Sequence, residues 1–165
     1  MSTKTPLKLH TSLMERLVDV APYENDTLQR GEFVDVPGYL AQIRTDLESL
    51  LNTRHHFSDA DAETFPNVAE SVATYGLRDL SHASSRSHAD REGIRQEIER
   101  TIKIFDRRLG NVHVKLDESP ASSHRRLVFR VDAVVDLKPA KGRVVFDASL
   151  DLATNEYRIA ESFAA

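Results

Sequence analysis

Glu97, Glu99 and Asp106 are the residues whose type and spacing could do chemistry in this chain. Two carboxylates that flank a cleft can hydrolyse a glycoside, one as acid and the other as base or nucleophile. These three instead follow one another along a single helical stretch, with Lys103 four residues after Glu99, a favourable spacing for an ion pair. Such a helix normally carries solvated glutamates, so no catalytic pair is expected. The histidines do not form a metal set either. His55 and His56 are adjacent and point apart in regular structure, and His82 and His88 lack a carboxylate partner motif. The glycines are scattered singly, so no phosphate-cradling loop is present, and neither a nucleophile elbow nor a zincin motif occurs. The expectation is therefore no catalytic residue, no metal site and no cofactor.

Asp106-Arg107-Arg108 poses a different problem. Two arginines at a helix C-terminus each gain about 0.3–1 kcal/mol from the helix dipole. Asp106 has the wrong charge for that end, which points to a fixed local network or to an external partner.

The elements that position these residues follow from periodicity. Ile94, Ile98, Ile102 and Phe105 recur at helical spacing, with Ile104 beside them. Asp90 can cap the start of this helix, and Ser87 with Asp90 makes a capping-box pattern upstream. Gly110 suits the left-handed position just past a helix end. The period then becomes two, with Val112, Val114 and Leu116 on one face and His113 and Lys115 on the other. Helix and strand together form one lever with the charged triplet at its elbow.

At 165 residues the chain is of ordinary single-domain size, and its 40 % hydrophobic and 29 % charged residues are those of a soluble globular protein. A net charge of −4 argues against a general nucleic-acid binder, although arginines cluster at Arg107-Arg108 and Arg125-Arg126. The absence of cysteine removes disulfides, thiolate zinc sites and thiol catalysis. No signal-peptide core and no bilayer-spanning apolar run are seen, so the expected location is the cytoplasm, without direct membrane insertion.

Earlier in the chain, residues 1–11 read as a loose tail, and Ser12-Leu13-Met14-Glu15 opens a short amphipathic helix with Leu13 and Leu17 on one face. A polar linker over residues 23–36 separates that helix from the rest, so it either docks on its own domain or serves as an arm for a partner. The division expected is residues 1–36 as tail, helix and linker, and residues 37–165 as one α+β domain. Pro37 starts the next helix, with Leu40, Ile43, Leu47, Leu50 and Leu51 on one face. A short helix from Pro66 places Val68, Val72 and Tyr75 inward, and Gly76-Leu77 caps it. Residues 81–89 form a polar loop. Alternation then predicts a strand over 127–137, a strand with Val144, Phe146, Ala148 and Leu150 on its core face, and a short last strand with Tyr157 and Ile159. Helices followed by a meander predict an α+β fold, with N-terminal helices packed on one face of a C-terminal antiparallel sheet of about four strands.

Leu50-Leu51-Asn52-Thr53-Arg54, then Ser71, then Tyr75-Gly76-Leu77-Arg78-Asp79-Leu80, then residues 98–114 resemble the TssE family, in order and in spacing. These are baseplate subunits of bacterial type VI secretion systems, related to the small wedge protein of contractile phage tails and sometimes labelled lysozyme-like. Residues 12–17 resemble that family's N-terminal segment, so the likeness covers nearly the whole chain. The family's Glu-Pro-Arg mark aligns with Asp106-Arg107-Arg108: the acid is shortened, the proline replaced and the last arginine kept. The resemblance implies a non-enzymatic structural role beside the wedge subunits TssF and TssG, helping to start the contractile sheath of TssB and TssC. It implies a protein-binding role for the elbow, Arg108 above Arg107, and a sheet similar to the sheath protein's strand-exchanging domain. Leu13 and Leu17 are the candidate arm, and Ile159 marks the edge where a partner strand could add. The alternatives are a lysozyme-like glycoside hydrolase and a stand-alone ligand-binding α+β domain, the latter requiring a deep apolar pocket.

Overall fold

The computed structural model describes residues 9–10, 33–58, 60, 64–68, 70–79, 87–117, 126–137 and 141–162. The chain divides into two compact units, Met1–Ile43 and Arg44–Ala165. In the first, β1 (Leu9–His10) pairs antiparallel with β2 (Phe33–Val34). The ends of the expected tail and linker thus meet in a short ladder, a pairing between distant stretches that neither stretch announces locally. The helix expected around Leu13 and Leu17 lies outside the described residues.

Helix α1 (Val36–Asn52) crosses the division between the units. Asp35 starts it by accepting the Gly38 N–H on Oδ1 at 2.9 Å. Leu40, Ile43, Leu47, Leu50 and Leu51 are all buried, as their spacing predicts.

In the second unit the chain leaves α1 and forms a parallel bridge between Arg54 and Leu77. The Leu77 N–H donates to the Thr53 carbonyl at 2.9 Å, and the His55 N–H to the Leu77 carbonyl at 3.1 Å. Two 3-10 turns, Pro66–Val68 and Val72–Thr74, stand where one short helix was expected. This corrects the inward placement of Val72 and Tyr75. Val72 is 87 % exposed and Tyr75 lies half open, while Thr74 is the buried residue of the second turn. Ser71 caps that turn on the Ala73 N–H, so a new helix start intervenes and breaks the phase assumed from Pro66. Gly76 does adopt a positive φ of 109°, followed by fully buried Leu77.

Helix α2 (His88–Phe105) is capped by Ser87, whose Oγ accepts the Asp90 N–H at 3.2 Å. Ser87 rather than Asp90 is therefore the cap. Ile94, Ile98 and Ile102 are buried along one stripe. β3 (Leu109–Leu116), β4 (Arg126–Asp136), β5 (Lys141–Asp151) and β6 (Glu156–Ser162) follow as an antiparallel meander in the order β3-β4-β5-β6. Among the described residues, two helices followed by a four-stranded antiparallel sheet make the fold α+β, as the pattern predicts.

The alternation seen in the sequence is the alternation of burial. Phe129, Val131, Ala133 and Val135 of β4 and Val144, Phe146, Ala148 and Leu150 of β5 are buried. The opposite face carries cross-strand ion pairs, Arg130 with Asp147 at 2.7 Å and Arg143 with Asp132 at 3.2 Å. Gly110 departs from expectation. It lies in β3 opposite Val134, and the positive φ falls on Asn111, at 49°, where the register shifts between Gly110 and His113. The helix end closes without a left-handed residue, because Asp106 supplies both a carbonyl and a carboxylate to the turn. Asparagine tolerates the left-handed region, which suits it to the bulge.

Candidate functional site

The elbow between α2 and β3 is a closed ionic network. Asp106 is the C-cap of α2, its N–H donating to the Ile102 carbonyl at 2.9 Å. Its Oδ1 accepts the Arg108 N–H at 3.1 Å and Arg108 Nε at 2.8 Å, and its Oδ2 accepts Arg108 Nη2 at 2.7 Å. Arg108 Nη1 reaches across to Asp46 Oδ2 on α1 at 2.8 Å. Asp106 is only 5 % exposed. Burial disfavours the Arg108 charge, yet hydrogen bonds and attraction from Asp106 and Asp46 outweigh it and raise its pKa further. The carboxylate that opposes the helix dipole is thus neutralised by a two-pronged arginine from its own turn. Arg107, by contrast, is exposed. Tyr75 stands beside this network, edge-on to Phe105 at 5.3 Å between ring centres. Burial, then Asp46 and Asp106, push its phenol above the ordinary value.

The two helix glutamates are each engaged. Glu97, 5 % exposed, accepts Arg78 Nε at 3.2 Å and Nη2 at 3.0 Å. A small open cleft beside this pair is lined by His55, Phe57, Thr74, Arg100 and Phe105. Burial lowers the His55 pKa against the opposing pull of Glu97, and Arg78 and Arg100 add to the lowering. His55 Nδ1 accepts the Phe57 N–H at 3.3 Å. Glu99 pairs with Arg95 at 2.8 Å and with Lys103, and its Oε2 accepts the Val114 N–H at 3.1 Å. Burial pushes the Glu99 carboxyl up, but Lys103, the Val114 amide and Arg95 together hold it below its ordinary value. Among the described residues no group of three or more His, Cys, Asp or Glu is placed to hold a metal ion. No helix of the described chain is long and apolar enough to cross a membrane.

Ile159 is 7 % exposed and sits in β6, an outer strand of the sheet. Two residues before it in that strand, Tyr157 is the point where α1 meets the sheet. Asn52 Oδ1 accepts the Tyr157 N–H and Asn52 Nδ2 donates to the Tyr157 carbonyl, both at 2.9 Å. Arg54 lies 5.4 Å from the centre of the Tyr157 ring and donates through Nη2 to the Asn155 carbonyl at 2.8 Å. The Tyr157 hydroxyl is buried with no partner among the described residues, and burial pushes its pKa up to about 12. The structural roles of Asp46, Asn52 and Arg54 carry no periodic signal. Only the run Leu50-Leu51-Asn52-Thr53-Arg54, singled out for its likeness to TssE, marks two of them.

Residues 38–140 match the protein family described as baseplate wedge protein gp25. No curated protein and no solved structure matches the chain.

Proposed function

Because this chain belongs to the baseplate wedge protein gp25 family, to which TssE also belongs, we propose that it is a non-enzymatic subunit of a type VI secretion baseplate. The match over residues 38–140 carries the reading, since it spans α1, α2, β3 and β4. In this reading the chain works in the cytoplasm, binds TssF and TssG, and offers its sheet to the first TssB–TssC strands. The engagement of both helix glutamates supports the non-enzymatic part. Glu97 is tied to Arg78, and Glu99 to Arg95 and Lys103, so neither is poised as a free acid or base. The cleft beside Glu97 is small and open, and Arg78, Glu97 and Arg100 share its lining with Phe57 and Phe105, unlike the deep apolar pocket that a small-molecule site needs.

Two measurements test this. The tagged chain, pulled down from cytoplasm, is expected to bring wedge and sheath subunits with it; recovery of neither would reject the assembly role. Incubated with peptidoglycan at several pH values, the purified chain is expected to release no products. Turnover that disappears in Glu97→Gln or Glu99→Gln would instead establish a glycosidase.

A further inference from the structure

One face of α2 forms a side of the cleft beside Glu97. Glu97, Arg100, Ile104 and Phe105 recur along it at helical spacing. His55 and Arg78 reach the same cleft from the two stretches that the bridge between Arg54 and Leu77 joins. The helix therefore divides the cleft into two ends. Glu97 and Arg100 stand at a polar end, and Ile104 and Phe105 at an apolar end one turn further on, about 5–6 Å away.

The polar end carries a surplus cation. Arg78 is taken up by Glu97 through bonds of 3.2 and 3.0 Å. Arg100 is exposed, and among the described residues no hydrogen bond or ion pair holds its guanidinium. With His55 neutral, two arginines share one carboxylate, which leaves a single positive charge on a chain whose net charge is −4. Burial lowers the His55 pKa; Glu97 opposes this, and Arg78, Arg100 and the adjacent His56 add to the lowering. Because His55 Nδ1 accepts the Phe57 N–H, the neutral ring keeps its proton on Nε2 as a donor. The apolar end runs out onto the surface. Phe105 meets Tyr75 edge-on at 5.3 Å, and Val72 shares a 3-10 turn with Thr74, which lines the cleft. Tyr75, Val72 and Phe65 are the exposed large apolar side chains among the described residues.

An occupant has to match both ends. A single carboxylate balances one surplus charge, whereas a phosphate dianion would leave the site negative around the buried Glu97. A free carboxylate ion would leave the apolar end bare. The chain's own acidic stretch, Asp59-Ala60-Asp61-Ala62-Glu63, has only alanine between its acids and offers that end nothing large. We propose that the cleft beside Glu97 binds an acidic side chain of a different protein, with Arg100 pairing its carboxylate and Phe105 and Tyr75 receiving a large apolar residue next to it. Arg78 stays on Glu97 and holds the cleft in shape. The inference follows from the residues of this cleft and does not depend on the wedge assignment, so the isolated chain tests it.

NMR titration of the His55 ring in the full chain provides the test, with the signal assigned by its loss in His55→Gln. The probe is a capped synthetic peptide, Leu-Glu-Phe-Glu-Leu, and its neutral counterpart is Leu-Gln-Phe-Gln-Leu. The acidic peptide should raise the His55 pKa by about 0.5 or more, because an opposite charge nearby favours the protonated ring. By reciprocity it should bind about twofold tighter or more at about pH 5.5 than at about pH 7.5. The neutral peptide should do neither. Arg100→Ala removes a repelling cation, so it should raise the His55 pKa in the free chain. The same variant should weaken the acidic peptide about tenfold, with Arg100→Lys recovering part of the loss. Its melting temperature should stay close to that of the wild type, as at other exposed positions. A His55 pKa unmoved by the acidic peptide, or moved equally by the neutral one, overturns the site. Binding undiminished in Arg100→Ala overturns the pairing. Inorganic phosphate that gives the same rise at the same concentration overturns the protein occupant and makes this a free-anion site. A His55 pKa that falls in the combined Asp59→Asn, Asp61→Asn and Glu63→Gln variant makes the occupant the chain's own acidic stretch. One that rises with protein concentration alone makes it a second copy.

Discussion

Arg108→Ala is expected to cost about 3–5 kcal/mol of stability, because it leaves the buried Asp106 carboxylate without its partner. Three bonds to Asp106 and one to Asp46 depend on this residue. The backbone bond survives the truncation; the guanidinium bonds do not. The Asp46 arm contributes less, since its side chain is 34 % exposed and solvent screens the pair. At about 2–4 °C per kcal/mol for a chain of this size, the melting temperature should fall by roughly 6–20 °C. Arg107→Ala, at an exposed position, should change stability by no more than about 0.5 kcal/mol. Arg108→Lys should fall between them, because an ammonium cannot span both oxygens of Asp106. Thermal melting of the three variants, read together with recovery of wedge subunits, separates stability from binding. If Arg108→Ala melts with the wild type, Asp106 is solvated and the network is not holding the elbow. The comparison also changes how the elbow is probed. Weakened assembly by Arg108→Ala reads first as a loosened helix end, whereas weakened assembly by Arg107→Ala, with melting unchanged, reads as a lost contact to a partner.

Gly76→Ala should be the next most damaging change, at roughly 2–4 kcal/mol from backbone strain and a lost hydrogen bond. Gly76 has φ of 109°, a conformation that side chains disfavour. A Cβ there would sit 2.5 Å from the Thr53 carbonyl oxygen and 2.7 Å from its carbon. Neither is the end of a flexible side chain, so the bridge between Arg54 and Leu77 would have to part. The consequence spreads, because this bridge brings Arg78 to Glu97 and adjoins the residue that covers Tyr157. Gly93→Ala is the matched control. A Cβ at Gly93 in α2 meets nothing within 4 Å, so the substitution should stabilise the helix by about 0.5–1 kcal/mol. Urea midpoints of both variants check the pair. A Gly76→Ala midpoint at or above that of the wild type would show that the bridge can move aside.

What the amino-acid sequence determines by itself is the set of elements and the face each one buries. The stripe of Ile94, Ile98 and Ile102 and the alternation from Phe129 to Val135 are written in neighbouring residues, because helix and strand repeat over a few positions and burial follows the repeat. Asp106 is a half-legible case. Its charge opposes the helix dipole, which demands a cation, but the turn offers two arginines and the pattern does not choose between them. Folding chooses Arg108, because only its guanidinium also reaches Asp46, which is 62 residues away in the chain. Asn52 and Tyr157, 105 residues apart, meet for the same kind of reason. Spacing alone misplaces Val72 and Gly110, since a cap at Ser71 and a carboxylate at Asp106 reset the local geometry. Periodicity reports which side of an element avoids water. Which polar groups find one another depends on distances that exist only after the helices and the sheet have packed.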